Sequence, residues 1–204
     1  MAKKTIVTIG RQFGSGGKEI GVAVAKKCGM KFYDKELLKR AAQESGLCET
    51  LFESLDERPK SLLYSLVMDP YAVNAMTSMP YNSVDQDVYK AVFDTVRQVA
   101  DEGSCVIVGR CADYALRERD DVLRVFIYAR DKARIERVAR RHGMSEQKAR
   151  DFIRKIDKQR ASYYNYYSDN KWGDRSAYDL LIDATVLGLD GTAQLICDVM
   201  NRAE

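Results

Sequence analysis

The stretch Ile9-Gly10-Arg11-Gln12-Phe13-Gly14-Ser15-Gly16-Gly17-Lys18-Glu19-Ile20-Gly21 predicts more about this chain than any other segment. It follows Thr5–Ile9, a β-branched segment with apolar residues on both faces, which predicts a buried parallel strand. It precedes residues 18–27, which predict a helix that Gly29 terminates. A glycine-rich turn between strand and helix is typical of a phosphate-binding loop, because consecutive backbone N–H groups and the helix N-terminus attract anions.

The loop matches the pattern G-x-x-x-x-G-K-[ST] only in part. Gly17 and Lys18 match its core, whereas Gln12 stands at the first glycine position and Glu19 at the position of the Mg²⁺-binding Ser or Thr. We expect Lys18 to supply a full positive charge to the β- and γ-phosphates. The residues expected around the phosphates of a bound nucleotide are Gly14, Ser15, Gly16, Gly17, Lys18 and Glu19.

Because Glu19 replaces the usual Ser or Thr, the loop pattern does not identify the ligand of Mg²⁺. Ser15, a downstream carboxylate such as Asp34, and water are the alternatives for holding Mg²⁺, which would otherwise be bound through the phosphates.

Composition excludes several classes of protein. Hydrophobic residues make up 46% of the 204 residues and the net charge is +3, so we expect an ordered globular protein rather than a nucleic-acid coat protein. There is no apolar run of membrane-spanning length and no secretion signal, which predicts a cytoplasmic protein. Five scattered cysteines without a CxxC pair indicate neither a disulfide framework nor a zinc site. The chain has a single histidine, His142, which argues against Ser-His-Asp chemistry.

Strand and helix patterns alternate along the rest of the chain, which predicts an α/β fold with a parallel sheet and helices on both faces. Residues 47–85 contain all three prolines and a Tyr/Met cluster, and we interpret them as a helical insertion on the acceptor side of one domain, residues 1–204. Three roles are open for this segment: a pocket for the acceptor base, a dimer surface, or plain core. Strands are predicted at 31–33, 105–108, 122–128 and 178–184, and helices after a capping Asp34 and at 84–100, 131–141 capped by Asp131, 145–160 and 191–202.

Charged residues near predicted strand ends are candidates for binding a second substrate. Arg110 ends a parallel strand, at the sheet edge where α/β proteins bind ligands, and its guanidinium matches a phosphate bidentately. Asp34 follows another short strand and either orients the acceptor, or a Mg²⁺-bound water, or merely caps a helix. Asp113 and Arg40 are further acceptor candidates.

Beyond the loop, five strings carry a resemblance to a known family: GRQFGSGGKEIG, FYDKELL, VIVGRCADY, IDKQRASYYNYY and YDLLIDAT. Together they resemble the cytidylate kinase-like family, a branch of the P-loop nucleoside monophosphate kinases. The resemblance runs nearly end to end. It implies a three-layer αβα P-loop kinase fold, ATP as phosphoryl donor with Mg²⁺, an acceptor-nucleotide region, and a mobile lid at approximately residues 140–175.

The resemblance also implies roles for residues in the second half of the chain. Arg134 and Arg137, three apart on one helix, precede the lid and are expected to contact ATP. Asp157 and Arg160 look like the Asp-x-x-Arg element of the lid, with Arg160 on the transferred phosphoryl group and Asp157 orienting it. Arg154 is a third candidate. Lys18, Arg160, Asp157 and Arg154 are therefore the predicted catalytic residues.

Cytidylate kinases have an aspartate before the Gly-Arg of the third motif and another just after it, where this chain has Val108 and Cys111. CMP or dCMP is the expected acceptor. A P-loop kinase for another small molecule, or a nucleotide-binding regulatory module without transfer, remains an alternative. Expected partners are small nucleotides, with no nucleic acid and no membrane, and the chain is expected to be a monomer or homodimer. The aromatic run of residues 163–167 is interpreted as lid packing rather than a base-stacking platform.

Overall fold

The computed structural model describes residues 4–47 and 81–202, apart from the side chains of residues 81–85. Residues 1–34 together with 96–204 form one compact unit, and residues 35–95 form another. The strands are β1 (Ile6–Arg11), β2 (Lys31–Tyr33), β3 (Cys105–Val108), β4 (Val122–Tyr128) and β5 (Leu180–Asp183). The helices are α1 (Gly17–Cys28), α2 (Glu36–Ser45), α3 (Tyr81–Asp101), α4 (Ala112–Ala115), α5 (Asp131–His142), α6 (Glu146–Tyr167) and α7 (Ala184–Asn201), with a short 3₁₀ helix at Arg175–Ala177.

The five strands form one parallel sheet in the order β2-β3-β1-β4-β5. The central strand β1 pairs with β3, where Ile6 lies opposite Cys105, and with β4, where Ile6 lies opposite Val122. Since all strands run in one direction, their carboxyl ends meet at a single edge, which holds the loops after β1, β2 and β3. The predicted α/β class with a parallel sheet flanked by helices is confirmed.

Burial on both faces explains why β1 and β3 became strands. Val7 and Ile9 of β1 and all four residues of β3 are almost completely buried. Ile20 of α1 and Ile196 of α7 belong to the same apolar cluster as the two β1 residues, so both helices cover the sheet. The β-branched residues that predicted the strands therefore fill the core beneath the phosphate-binding loop.

Two helix boundaries differ from the sequence prediction. Helix α6 continues to Tyr167 instead of ending at residue 160, because Tyr164 in the added turns is buried and hydrogen-bonded. Helix α7 begins at Ala184 rather than residue 191, directly after β5, where the Asp183 carboxylate accepts from the Thr185 N–H and caps it. Gly188, with a φ of 68°, kinks that helix, and for this reason the sequence pattern predicted only the part after the kink.

The two predicted aspartate caps are not formed. The N-cap residue of α2 is Lys35, without a side-chain cap, and that of α5 is Arg130. Asp131 instead lies in the first turn of α5, 3.4 Å from the Arg134 guanidinium. Ser145 does cap α6, as expected, and accepts from the Lys148 N–H.

The unit of residues 35–95 has an apolar cluster of its own. Leu38 and Ala41 of α2 pack with Val88 and Val92 of α3. Of the predicted insertion at residues 47–85, residues 48–80 lie outside the described part of the chain. Its role and the single-domain organisation therefore stay predictions. In the described part of the chain, no helix combines the length and apolarity that crossing a membrane requires.

Candidate active site

The phosphate-binding loop joins the carboxyl end of β1 to the first turn of α1. Gly16, with a φ of 90°, precedes the first helical residue, Gly17, so the backbone turns into the helix through a left-handed conformation that favours glycine. Gln12, at the position where a glycine was expected, ties the loop to the end of β4. Its N–H donates to the Ile127 carbonyl at 3.0 Å, and its side-chain oxygen accepts from the Ala129 N–H at 3.3 Å.

Close packing explains two of the loop glycines. A Cβ on Gly14 would lie 2.9 Å from Val138 of α5 and 3.1 Å from the Arg134 carbonyl oxygen. A Cβ on Gly16 would lie 2.3 Å from a methyl carbon of Leu189 in α7. The Arg137 guanidinium donates to the Gly14 carbonyl and holds it from the α5 side. The loop is therefore enclosed by α5 and α7 as well as by its own strand and helix.

Lys18, in the first turn of α1, binds the carboxylate that follows β2. Its ammonium lies 2.8 Å from an Asp34 oxygen, and the Arg11 guanidinium lies 3.8 Å from the other oxygen. The Asp34 side chain is only 6% exposed, whereas that of Lys18 is 56% exposed. The loop lysine and a buried carboxylate thus meet at the sheet edge, with Arg11 as a second cation.

Arg11 was not singled out from the sequence, yet it connects several parts of the site. A Cβ on Gly109 would lie 1.8 Å from its guanidinium, so this glycine leaves the space that the arginine occupies between β1 and β3. Its carbonyl oxygen accepts from the Arg160 guanidinium at 2.9 Å. The signal available in the sequence was its position as the last residue of the strand before the loop.

Glu19, at the position of the usual Mg²⁺-binding hydroxyl, forms an ion pair with Arg141 at the end of α5. Burial acts to raise the pKa of Glu19, but a backbone hydrogen bond and the Arg141 guanidinium outweigh it, so the pKa lies below its ordinary value. Glu19, which departs from the loop pattern, is thus paired with an arginine 122 positions away in the sequence.

Ser15 is completely buried, and its hydroxyl is used within the loop. It donates to the Gln12 carbonyl at 2.9 Å and accepts from the Gly17 N–H at 3.3 Å. Asp34 is the carboxylate beside the loop lysine, and it fits a magnesium ion held mainly by donor phosphates and water. Over residues 4–47 and 81–202, no three His, Cys, Asp or Glu side chains gather as a metal-binding group.

Asp157 and Arg134 together bind the peptide groups of Phe13 in the loop. Asp157 accepts from the Phe13 N–H at 2.7 Å, Arg134 donates to the Phe13 carbonyl at 2.9 Å, and the two side chains form an ion pair. Burial raises the pKa of Asp157 despite the opposing influence of the Phe13 N–H and Arg134. The Arg134 side chain is 5% exposed, so in this conformation it supports the loop rather than facing solvent.

Arg160 lies one turn beyond Asp157 on α6, with its guanidinium 5.4 Å from the centre of the Phe13 ring. Its charge also acts to lower the pKa of Asp157, so the two groups are near each other as the Asp-x-x-Arg spacing predicted. Arg154 is exposed on the same helix. Helix α6 therefore brings Asp157 and Arg160 to the loop, while Arg154 faces solvent.

Arg110 follows β3 in an unusual backbone conformation. Arg110 and Cys111 have φ values of 60° and 52°, directly after Gly109 at 77°. Such consecutive left-handed residues are costly for side chains other than glycine and are common where geometry serves a site. They place Arg110, which is half-buried, at the sheet edge.

Asp113, predicted to bind the acceptor, has a different partner in the structure. The Tyr164 hydroxyl of α6 donates to its carboxylate at 2.5 Å, and the aspartate is 7% exposed. Burial raises the pKa of Asp113, although the tyrosine hydrogen bond opposes that shift. Tyr164 also stacks on Tyr178, and Trp172 meets Phe126 edge to face, which supports packing over base stacking for the aromatic run.

Arg40 belongs to the unit of residues 35–95 and pairs with Glu44 at 2.6 Å. Its predicted acceptor role stays a prediction. Of the residues selected from the sequence, the structure gathers at the phosphate-binding loop Lys18, Glu19, Asp34, Arg134, Arg137, Asp157 and Arg160.

The fold and the site define the class of protein first. A parallel sheet with a glycine loop after its central strand is the P-loop kinase fold, and solved structures share it. A shikimate kinase from Bacteroides thetaiotaomicron aligns with a TM-score of 0.54 at 14% identity, covering 97% of this chain and 98% of that chain. An uncharacterized protein from Eubacterium ventriosum aligns with a TM-score of 0.74 at 27% identity, covering 98% and 99%.

The family follows from the sequence match. The model of the cytidylate kinase-like family matches residues 6–186, and the chain belongs to that family. The cytidylate kinase of Pyrococcus horikoshii is 26% identical over 195 residues, covering 95% of this chain and 86% of the relative. That of Methanopyrus kandleri is 26% identical over 200 residues, covering 94% and 90%. The chain is thus a P-loop kinase, a phosphotransferase that takes ATP as its donor.

Proposed function

We propose that this protein transfers the γ-phosphoryl group of Mg²⁺–ATP to a nucleoside monophosphate, with CMP or dCMP as the first candidates. The observation that carries the proposal is the convergence of Lys18, Asp34 and Arg160 on one loop at the carboxyl edge of the sheet. Three parts of the chain supply these groups: α1, the residue after β2, and the distant helix α6. The relatives named cytidylate kinase support the choice of acceptor.

Phosphoryl transfer depends on positioning and on charge around the migrating group. Lys18 would contact the β- and γ-phosphates after leaving Asp34, and the loop N–H groups would bind the remaining oxygens. Arg160 would follow the transferred group from α6, and Arg137 would approach the donor phosphates from α5. Bound Mg²⁺ would neutralise phosphate charge, held by the phosphates, water and Asp34. Arg110 would bind the acceptor phosphate at the end of β3.

A different small-molecule acceptor is the second candidate. Val108 and Cys111 stand where cytidylate kinases have two aspartates, so this chain has no carboxylate at either position to bind an acceptor. Both side chains are also buried. This observation weakens the inference to a cytosine base and leaves the phosphoryl-transfer chemistry untouched.

A coupled ADP-release assay with nucleoside monophosphates, shikimate and other small alcohols tests the proposal. We expect ADP formation that depends on CMP or dCMP. In Lys18→Ala the rate should fall by about a thousandfold or more, since the loop lysine would bind the phosphoryl group in transfer. Lys26→Ala, on the exposed side of the same helix, is the matched control and should keep full activity. Turnover with another acceptor alone would favour the second candidate. ATP binding without turnover for any acceptor would favour a regulatory module.

A further inference from the structure

Two cysteines outside the active site lie within bond-forming reach of each other. Cys28 is the last residue of α1 and Cys197 lies in α7, and their sulfur atoms are 2.7 Å apart. Unbonded heavy atoms normally pack at about 3.5–4.0 Å. A disulfide bond is about 2.05 Å long. The two thiols therefore need only a small approach to bond covalently, although 169 positions separate them in the sequence.

The surrounding helices keep the two thiols together. Val24 and Ala25 of α1 and Ala193 and Ile196 of α7 are buried in one apolar cluster with the sheet. On the solvent side, Lys27 binds Asp190 at 3.1 Å and Gln194 at 3.3 Å, which joins the same two helices again. Separating the backbones of the two cysteines would require breaking this packing, so the helices keep Cys28 and Cys197 adjacent in the reduced protein.

The two thiols differ in access. Cys28 is half-buried, so a small oxidant can reach it, whereas Cys197 is buried. Burial first, and then the hydrogen bond with Cys28, raises the pKa of Cys197 to about 12. Reaction should therefore start at Cys28, with Cys197 acting second as the resolving thiol.

We propose that Cys28 and Cys197 form a reversible disulfide that fastens the end of the phosphate-loop helix to the last helix of the chain. With a peroxide as oxidant, the Cys28 thiolate attacks one peroxide oxygen, breaks the O–O bond and becomes a sulfenic acid with release of water. The Cys197 sulfur then attacks the Cys28 sulfur, the S–O bond breaks, and the hydroxyl leaves as water with the Cys197 proton. Two thiols and one peroxide thus give one disulfide and two waters.

The cross-link should change stability rather than catalysis. It closes a very long loop in the unfolded chain, and the loss of unfolded-state entropy predicts a rise in Tm on the order of 10 °C. Lys18 lies about ten residues before Cys28 on α1, on the order of 15 Å along the helix. ATP binding should therefore change by less than about twofold on oxidation.

The test treats the full chain with stoichiometric hydrogen peroxide and records the intact mass, the non-reducing peptide map and Tm. We expect a loss of two hydrogen atoms, a peptide joining Cys28 to Cys197, and a Tm increase that dithiothreitol reverses. Cys28→Ser, at the more accessible position, should lose all three effects. Cys48→Ser removes a cysteine outside the described residues and is the matched control, which should behave like the unmodified chain.

Three outcomes would overturn the proposal. Addition of oxygen to Cys28 without cross-linking, a peptide map that joins other cysteines, or a Tm increase that persists in Cys28→Ser would each do so. ATP binding, measured by calorimetry on the reduced and oxidised protein, reports separately on the loop. The proposal does not depend on which acceptor the protein phosphorylates.

Discussion

Lys18 and Asp34 show how much a single ion pair matters at this site. Their contact at 2.8 Å occupies the lysine that the proposed reaction needs at the phosphates of ATP. A bound nucleotide therefore has to compete with Asp34 for the ammonium group. Arg11, 3.8 Å from the same carboxylate, remains as a cation for Asp34 once Lys18 has moved. In the proposed reaction the pair would therefore influence both nucleotide affinity and the placement of charge.

Asp34→Asn tests this competition. We expect about two- to fivefold tighter binding of ATP in the absence of Mg²⁺, because an exposed lysine gains only a modest free energy from such a pair and gives it up to bind phosphate. Turnover should fall at least tenfold if Asp34 orients the acceptor or the Mg²⁺ water. Titration calorimetry and the ADP-release assay measure the two quantities. Asp190→Asn, which removes an exposed carboxylate bound to Lys27, should change neither. Weaker binding of Mg²⁺-free ATP in Asp34→Asn would contradict the competition.

The loop, α1 and α5 form the next level of organisation. Helix α5 packs so closely on the loop that Gly14 has no room for a side chain, and its Arg134 and Arg137 bind loop carbonyls. Arg141, at the end of the same helix, binds Glu19 of α1. Helix α5 therefore holds the loop in place by binding the backbone carbonyl groups of the loop, in addition to any contact with ATP.

Substituting Gly14 by alanine measures that packing, and Gly143 provides the matched control. Both have positive φ, 77° and 61°, but a Cβ on Gly143 would meet nothing within 4 Å. We expect Gly143→Ala to lower the free energy of unfolding by about 1 kcal/mol, the cost of the left-handed backbone. Gly14→Ala should lower it by about 2–4 kcal/mol, since a clash with Val138 and the Arg134 carbonyl is added.

Urea denaturation and ATP titration calorimetry of the two variants give the comparison. Gly14→Ala should also weaken ATP binding at least tenfold, while Gly143→Ala should leave it unchanged. Equal losses of stability in both variants would show that the packing of α5 on the loop contributes nothing beyond the backbone conformation.

Across the molecule, Asp157 links the second half of the chain to the first. It lies on α6, accepts from the Phe13 N–H at 2.7 Å and pairs with Arg134 of α5. Ile135 and Val138 of α5 pack in one apolar cluster with Ala149 and Ile153 of α6, which joins the two helices. The predicted lid, residues 140–175, thus holds the phosphate loop closely in this conformation. Its movement during a catalytic cycle stays a prediction.

The substitution Asp157→Ala tests whether α6 stabilises the phosphate loop through this residue. We expect a loss of about 3 kcal/mol in the free energy of unfolding, because the buried Arg134 guanidinium loses its buried carboxylate partner and is left with the exposed Asp131, at 3.4 Å. Hydrogen exchange should accelerate in both α6 and the loop. Asp151→Ala, exposed on the same helix and bonded to Gln147, is the control and should change stability by less than about 0.5 kcal/mol. Faster exchange confined to α6 would contradict a link to the loop.

A large part of the fold was predictable because it depends on local patterns. The short runs Lys31–Tyr33, Cys105–Val108 and Val122–Tyr128, which are rich in aromatic or β-branched residues, predicted their strands to the residue. The Asp-x-x-Arg spacing placed Asp157 and Arg160 together on one helix, which the geometry of α6 confirms. The ends of α6 and α7 were harder to predict from the sequence, because the tertiary packing of Tyr164 extended α6 and the Asp183 cap extended α7.

The amino-acid sequence was sufficient for the parallel α/β class, the phosphate loop with its lysine, and the family, because each depends on residues adjacent in the chain or at helical spacing. Only the tertiary structure assigned the partners: Asp34 to Lys18 rather than to a helix cap, Glu19 to Arg141, and Asp157 to Phe13 and Arg134. Charged side chains pair with whichever opposite charge the fold brings near. The chain contains 33 basic and 30 acidic residues, and their order along it does not encode those distances.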